Sequence, residues 1–581
     1  MTTQEELQKR IRELEKEVAH LHSQIKRQQY GLVWLDVPEA FDEESENKIP
    51  ILEEVPEMAI HHDDGKPTHI LIEGDNYHAL TCLNYTHKGK VDVIYIDPPY
   101  NTGSDGFTYK DSRFLEQYPD GIEIKSNSPL KNSAWLSFIQ KRLLLARELL
   151  SNKGVVFISI DDNEHANLKL LCDKIFGVHN FISSLPRKGS GGRQDSKHYA
   201  IVHEYILVYA LNIEHFEAGR SAKAKNDFNL FDEAKGAYYK TQLLRKWGDN
   251  SRREDRPNLF YPIYYNILTS QFSLMREDDS DLEIFPMLDA EKEGCWRWGK
   301  STMQEGFNKH CVELQKNKKG EYIAYERIYE ETSSNTKPFS SWIDDIDNHT
   351  GTALLKDLLG PKVFDYPKPV DLVNRILRMA SPKKGFIVLD FFAGSGTTLH
   401  ATMNLNAEDG GHRQCILCQI NEANICTDVT YERNKRVMNG YTDSKGNQIE
   451  GLGNSLKYYR TAFVGKNKPK DATDEDKVTL SKKAGCLLAL AENTLYEQKS
   501  TDFYQIYSDE NGHTTAIYFQ EDGEEYDDFL KEVESIGGKR TVYVFSWGTA
   551  DEFRSDFEMM KDVTVKSIPQ PILDIYKSLN Q

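Results

Sequence analysis

VDVIYIDPPYNTG, residues Val91 to Gly103, is a β-branched apolar run that ends abruptly at a carboxylate and two prolines. A run of this kind, apolar without alternation, is what a strand covered on both faces requires. Upstream, HILIEGDNYHAL reads as a second buried strand that stops at Gly74-Asp75 and enters a helix. Downstream, WLSFIQKRLLLARELL and GVVFISIDD read as an amphipathic helix followed by a further strand. This β-α-β rhythm predicts an α/β fold with a doubly wound, mostly parallel Rossmann-like sheet. The rhythm lapses from about Ile182 to Gly360 and resumes in PVDLVNRILRMASPKKGFIVLDFFAGSGTTLHA, so one sheet is expected to be assembled from both sides of an insertion.

The flanks are of a different character. Leu7, Ile11, Leu14, Val18, Leu21 and Ile25 alternate spacings of four and three, a heptad seam suited either to a partner helix or to the chain's own body. An acidic linker follows, and the tail beyond residue 470 carries strand candidates AIYF and TVYVFSW among helical segments. The expected organisation is an amphipathic helix over 1–30, a catalytic half over 31–181, an insertion over 182–360, a cofactor half over 361–470 and a small α+β assembly module over 471–581.

The 581 residues carry a net charge of −19, which argues against coating nucleic acid by bulk electrostatics but leaves local binding open. No apolar run reaches the roughly 18 residues of a membrane span, and charges occupy the N-terminus where a leader would be apolar, so a cytoplasmic location is expected. Eight scattered cysteines suit a reducing compartment. His412, Cys415, Cys418 and Cys426 have a metal-ligand composition, yet a strand through CILC would point Cys415 and Cys418 to opposite faces, and no metal is assigned. Two basic segments, Pro186 to Arg193 and Leu244 to Arg256, read as solvated loops or as phosphate contacts.

Two motifs carry chemistry. In DPPY, Asp97 and the Pro98 carbonyl could both accept hydrogen bonds from an exocyclic amine. Pro99 stiffens the turn, and Tyr100 offers a face on which a flipped base could stack. DFFAGSGTT follows a strand and opens a helix. Gly394 and Gly396 permit close backbone approach, and the helix start favours a carboxylate. A phosphate loop would need Lys where Thr397 stands, and the dinucleotide fingerprint would need a third glycine where Leu399 stands, so an adenosine-methionine cofactor fits better. Gln419, Asn421 or Glu422, at the end of CILCQIN, could reach ribose hydroxyls.

DPPYNTG followed by DFFAGSGTT across a long insertion resembles the beta class of amino-DNA methyltransferases. With YGLVWLD, ILIEGDNYHAL, DPPYNTGSDGFTY, FISIDDNE and RPNLFYPI, nearly the whole chain resembles modification subunits of type III restriction-modification systems. The resemblance implies a bacterial, S-adenosylmethionine-dependent enzyme acting on adenine N6 in double-stranded DNA. It also implies a target-recognition insertion, a homodimer, and a separate restriction subunit with helicase and nuclease activities. It assigns Asp97, Pro98, Pro99 and Tyr100 to catalysis. Asp390, Phe392, Gly394, Gly396 and Thr397, with Asp75 and Glu422 as weaker candidates, go to the cofactor. It gives weight to Arg187, Lys188, Arg193, Arg245, Lys246, Arg252 and Arg253 as DNA contacts. A cytosine-N4 enzyme, a solitary methyltransferase and a DNA-binding subunit with a vestigial site are the alternatives.

Overall fold

The computed structural model describes residues 34, 48–102, 130–189, 198–222, 228–289, 291–330, 336–520 and 523–579; the heptad segment and Arg193 lie outside them. Nine strands form the main sheet: β1 (Ile49–Glu54), β2 (Thr68–Glu73), β3 (Val91–Ile96), β4 (Leu150–Ile160), β5 (Phe181–Lys188), β6 (His203–Ala210), β7 (Ile387–Asp390), β8 (Gln414–Gln419) and β9 (Ser455–Val464). Their spatial order is β1-β9-β2-β8-β7-β3-β4-β6-β5. The six strands from β9 to β4 are parallel to one another, whereas β1 runs against β9 and β6 against β4.

Alternating side chains of the central strands feed two cores, one on each face of the sheet, as a period of two dictates. Ile70, Ile72, Ile94, Ile96, Val156 and Ile158 meet helices α1 (Asn76–Thr86), α2 (Leu130–Leu149) and α3 (His165–Phe176). Leu71, Val93, Tyr95, Val155 and Phe157 meet α4 (Val370–Ala380), α5 (Thr397–Asp409) and α6 (Glu432–Asn439). Cys418 belongs to the first core and Cys415 to the second, so the strand directs them apart.

The chain divides into two compact units, 1–219 with 340–581, and 220–339. The separately packed segment is therefore narrower than the expected 182–360. The β-α rhythm lapses at residue 182 because β5 and β6 extend the sheet as an antiparallel pair with no helix between them. The smaller unit has a four-stranded antiparallel sheet, a three-stranded sheet and the helix Lys300–Asn308, around a core that includes Tyr261, Ile263, Trp296, Met303 and Phe307. Its first and last strands, Arg220–Ala222 and Thr336–Pro338, pair with each other.

The tail forms a five-stranded sheet, β10 (Tyr496–Ser500), β11 (Tyr504–Ser508), β12 (His513–Tyr518), β13 (Lys539–Phe545) and β14 (Val563–Ile568), in that order. Helix α7 (Gln570–Leu579) supplies Ile572, Leu573 and Tyr576 to the same core as Ala79, Cys82 and Leu83 of α1. Among the described residues no helix is long and apolar enough to cross a membrane.

Candidate active site

Strands β3 and β7 are parallel neighbours, with Val93 opposite Val388 and Ile94 opposite Leu389. Both sequence motifs therefore leave the sheet side by side. From β3 the chain passes through α2 to β4 on one flank; from β7 it passes through α5 to β8 on the other. The direction of winding reverses between them, which opens the crevice where such sheets bind ligands.

The DPPY turn is fastened from below. Trp135 of α2 donates its indole N–H to the Pro99 carbonyl at 2.7 Å, and Lys131 donates to the Asn101 carbonyl at 2.7 Å. Asn101, at a φ of 58°, donates to Glu164 at 2.5 Å. Asp97 Oδ1 accepts from the Tyr100 hydroxyl at 2.8 Å and lies 3.1 Å from the Lys368 ammonium. Its Oδ2 and the Pro98 carbonyl have no donor among the described residues, so two acceptors remain for a substrate.

Lys368 has three protons and meets three acceptors: Asp97 Oδ1, the Tyr100 oxygen at 2.8 Å and Glu204 Oε2 at 3.3 Å. Glu204, from the start of β6, is paired in turn with Arg187 of β5, which is fully buried and also donates to the Asn348 side chain. Burial pushes the Asp97 carboxyl above its ordinary range; Lys368 opposes that shift and Glu204 adds to it. Burial acts in the same sense on Glu204, but Lys368 and Arg187 outweigh it and hold Glu204 below the usual carboxylate range. Burial disfavours the Lys368 ammonium, yet Asp97 and Glu204 raise it above an ordinary lysine.

The glycine loop is held from one side. Thr430 donates to the Gly394 carbonyl at 2.6 Å, Arg433 to the Ser395 carbonyl at 3.2 Å and Asn434 to the Gly396 carbonyl at 3.3 Å. These three residues come from the π-turn Ile425–Tyr431 and from α6, which continues it. Gly396 sits at a φ of +72°, and a Cβ there would lie 2.4 Å from the Asn434 amide nitrogen. Asp390 accepts from the Phe392 N–H at 3.0 Å and the Thr398 hydroxyl at 2.5 Å, and burial raises its carboxyl to about 7. It shapes the loop. Thr397 accepts from Arg433 at 2.7 Å and donates to the Lys368 carbonyl at 3.2 Å, stitching the two motifs together.

Other expected residues are placed as follows. Asp75 caps α1 by accepting from the Tyr77 N–H at 2.7 Å and lies 3.4 Å from buried Arg142. At the end of β8, Gln419 accepts from the Gly394 N–H at 2.7 Å and Asn421 donates to Glu73 at 3.2 Å; Glu422 is half-buried at the start of the next turn. Arg187 is corrected from a DNA contact to an internal partner of Glu204, because its guanidinium has no solvent exposure. Lys188 is exposed. In the smaller unit, Arg245 is half-buried and donates to the Met287 carbonyl, Lys246 is half-buried, and Arg252 is exposed. Arg253 is also exposed and pairs with Glu293 at 2.7 Å. Lys368, Glu204, Thr430 and Arg433 belong to the site and were not singled out from the sequence. The only local signal for Lys368 is that it precedes Pro369, which holds it extended.

The sequence profile described as DNA methylase matches residues 91–429, well over half of the chain and spanning both motifs. The chain is 38% identical over 375 residues to the type III restriction-modification enzyme EcoPI Mod subunit of Escherichia phage P1, with 61% of this chain and 57% of that protein covered. It is 32% identical over 387 residues to the EcoP15I Mod subunit of Escherichia coli, with 61% and 58% covered, so it spans little more than half the length of these relatives. It is 34% identical over 397 residues to the type II methyltransferase M.KpnI of Klebsiella pneumoniae, with 67% of this chain and 90% of that protein covered. With both motifs meeting at one crevice and the profile running through them, the chain belongs to the N6/N4 DNA methylase family.

Proposed function

We propose that the protein transfers a methyl group from S-adenosylmethionine to N6 of an adenine flipped out of double-stranded DNA, as the modification and recognition subunit of a type III restriction-modification system. The observation that carries this reading is the pairing of β3 with β7, which sets the amine-accepting turn beside the glycine loop. The loop suits this cofactor. The cation beneath it, Arg433, is buried and directed at Ser395 and Thr397, so no exposed lysine or arginine of the loop is available for a polyphosphate. Phe392, Gly394, Gly396 and Thr397, with the start of α5, would hold the cofactor, and Glu422 would meet its ribose. When bound, the cofactor supplies a methyl on an activated sulfonium.

The chain's own residues supply position. Asp97 Oδ2 and the Pro98 carbonyl accept the two amine hydrogens and so direct the nitrogen lone pair at the methyl. Tyr100 stacks on the base, and most of the acceleration comes from orientation. Lys188, Arg252 and Arg253, all exposed, are the side chains offered to DNA phosphates.

The test is transfer of labelled methyl to unmethylated genomic DNA, followed by separation of nucleosides. Label in N6-methyladenine supports the reading, and label in N4-methylcytosine replaces adenine with cytosine as the target. A second reading, a type II methyltransferase without a restriction subunit, is favoured by coverage, since the chain spans 90% of M.KpnI against 57% of EcoPI Mod. Co-purification with the product of an adjacent restriction gene separates the two.

A further inference from the structure

Four side chains of alternating charge form a line into the crevice: Arg187, Glu204, Lys368 and Asp97. They come from β5, β6, the segment before α4 and the end of β3, elements brought together only by the fold. Charges removed from water are costly unless each is paired, and here each inner member has a partner on both sides. Arg187 is fully buried, Glu204 and Lys368 are 12% and 13% exposed, and Asp97 is 28% exposed at the open end.

We propose that Glu204, braced by Arg187, is a positioning residue that holds Lys368 on Oδ1 of Asp97, so that Asp97 remains an ionised acceptor with Oδ2 turned to the substrate amine. This rests on the methyltransferase reading above. Lysine is a flexible point charge on a four-carbon stem, and Asp97 alone would not fix its direction. Glu204 Oε2 holds the ammonium as a second carboxylate at 3.3 Å, and the Tyr100 oxygen supplies the third contact at 2.8 Å. Among the described residues, the groups that face Asp97 are Tyr95, Tyr100, Lys368, Glu204 and Asp390, and Lys368 is the one cation among these.

The proposal makes a directional prediction, because Glu204 acts on Asp97 in two opposed ways. Its negative charge directly disfavours ionised Asp97, so if charge were its whole role, Glu204→Gln would shift the acid limb of the kcat–pH profile to lower pH. If it positions Lys368, the variant loosens the ammonium and the limb moves to higher pH, as it does in Lys368→Met. Glu204→Asp keeps the charge and the Arg187 partner but withdraws the carboxylate by one methylene, and it moves the limb in the same upward direction.

The experiment measures labelled methyl transfer to genomic DNA from pH 5.5 to 9 for the full chain and these variants, with S-adenosylhomocysteine affinity by calorimetry. In parallel, the acylation rate of Lys368 by acetic anhydride is followed by mass spectrometry. We expect the acid limb for Glu204→Asp to lie at higher pH than in the wild type, so that kcat below the limb falls by about tenfold for each pH unit of displacement and recovers toward pH 9. Cofactor affinity stays within about twofold and Lys368 acylates several times faster. The double variant Glu204→Gln, Lys368→Met is no worse than Lys368→Met alone, as coupling through one residue requires. A limb that stays in place or moves down in Glu204→Asp, or unchanged Lys368 acylation, overturns the proposal. If Glu204→Gln leaves Arg187 unpaired and does not fold, Glu204→Asp decides. Acylation that rises as expected in the variants, with a wild-type protein that transfers no methyl, upholds the positioning role and removes the methyltransferase reading instead.

Discussion

At the scale of single residues, the two motifs are held by separate sets of contacts. Asp97 makes its contacts to Tyr100 and Lys368, whereas Asp390 makes its contacts inside the glycine loop. Asp97→Ala is expected to reduce transfer on the order of 10²–10³-fold, the size of one preorganised hydrogen-bonding group. S-adenosylhomocysteine binding by calorimetry should change less than a few-fold, and equal loss of both would refute the division. Asp390 carries a second prediction. Its folded value of about 7 lies above the ordinary carboxylate value, so between about pH 4 and 7 the folded chain holds a proton that the unfolded chain has lost. Stability therefore declines as pH rises through that window, by on the order of a few kcal/mol for this group alone. Asp390→Asn should flatten the decline in Tm between pH 5 and 7.5, and an unchanged slope would assign the pH dependence elsewhere.

At the scale of elements, the helical segment after β8 holds the glycine loop. Thr430, Arg433 and Asn434 grip three successive loop carbonyls, and Gly396 lies against them in the left-handed region. Gly396→Ala meets the Asn434 amide and backbone strain of about 1–3 kcal/mol, so cofactor affinity should fall roughly tenfold or more while the far-ultraviolet circular dichroism is kept. Full affinity in that variant would show that the loop is not held against α6. These elements also mark how far a linear reading reaches. Asp97, Tyr100, Gly394 and Gly396 were readable as candidates for the site because each lies in a contiguous motif at a strand end. Lys368, Glu204 and Arg187 were not, because their meaning depends on which strands are neighbours. A lone glutamate at the start of HEYILVYA and a lysine before a proline carry no spacing that announces a shared site. β5 and β6 were assigned to the insertion for a related reason: an antiparallel pair does not continue the β-α period.

At the scale of the whole molecule, the 220–339 unit enters and leaves through two paired strands. Replacing residues 220–338 with a short glycine-serine turn should therefore leave a folded protein that binds S-adenosylhomocysteine within about threefold of the full chain but no longer binds DNA, by filter retention. Loss of cofactor binding in a folded product would show that the unit supports the crevice. The main sheet does not have this modularity. Its two central strands, β8 and β7, lie between β2 and β3 in space but follow them by hundreds of residues in sequence. At about 5–20 residues per second, the roughly 290 residues from the end of β3 to β7 emerge from a ribosome over some 15–60 s. For that interval β2 and β3 have been made but β8 and β7, which separate them in the folded sheet, have not, and each presents a β-branched edge suited to pairing with the other or with a second nascent chain. The order of strands is in this sense a delay: the crevice between β3 and β7 cannot close until most of the chain has been synthesised, and β2 must be kept from pairing with β3 until then.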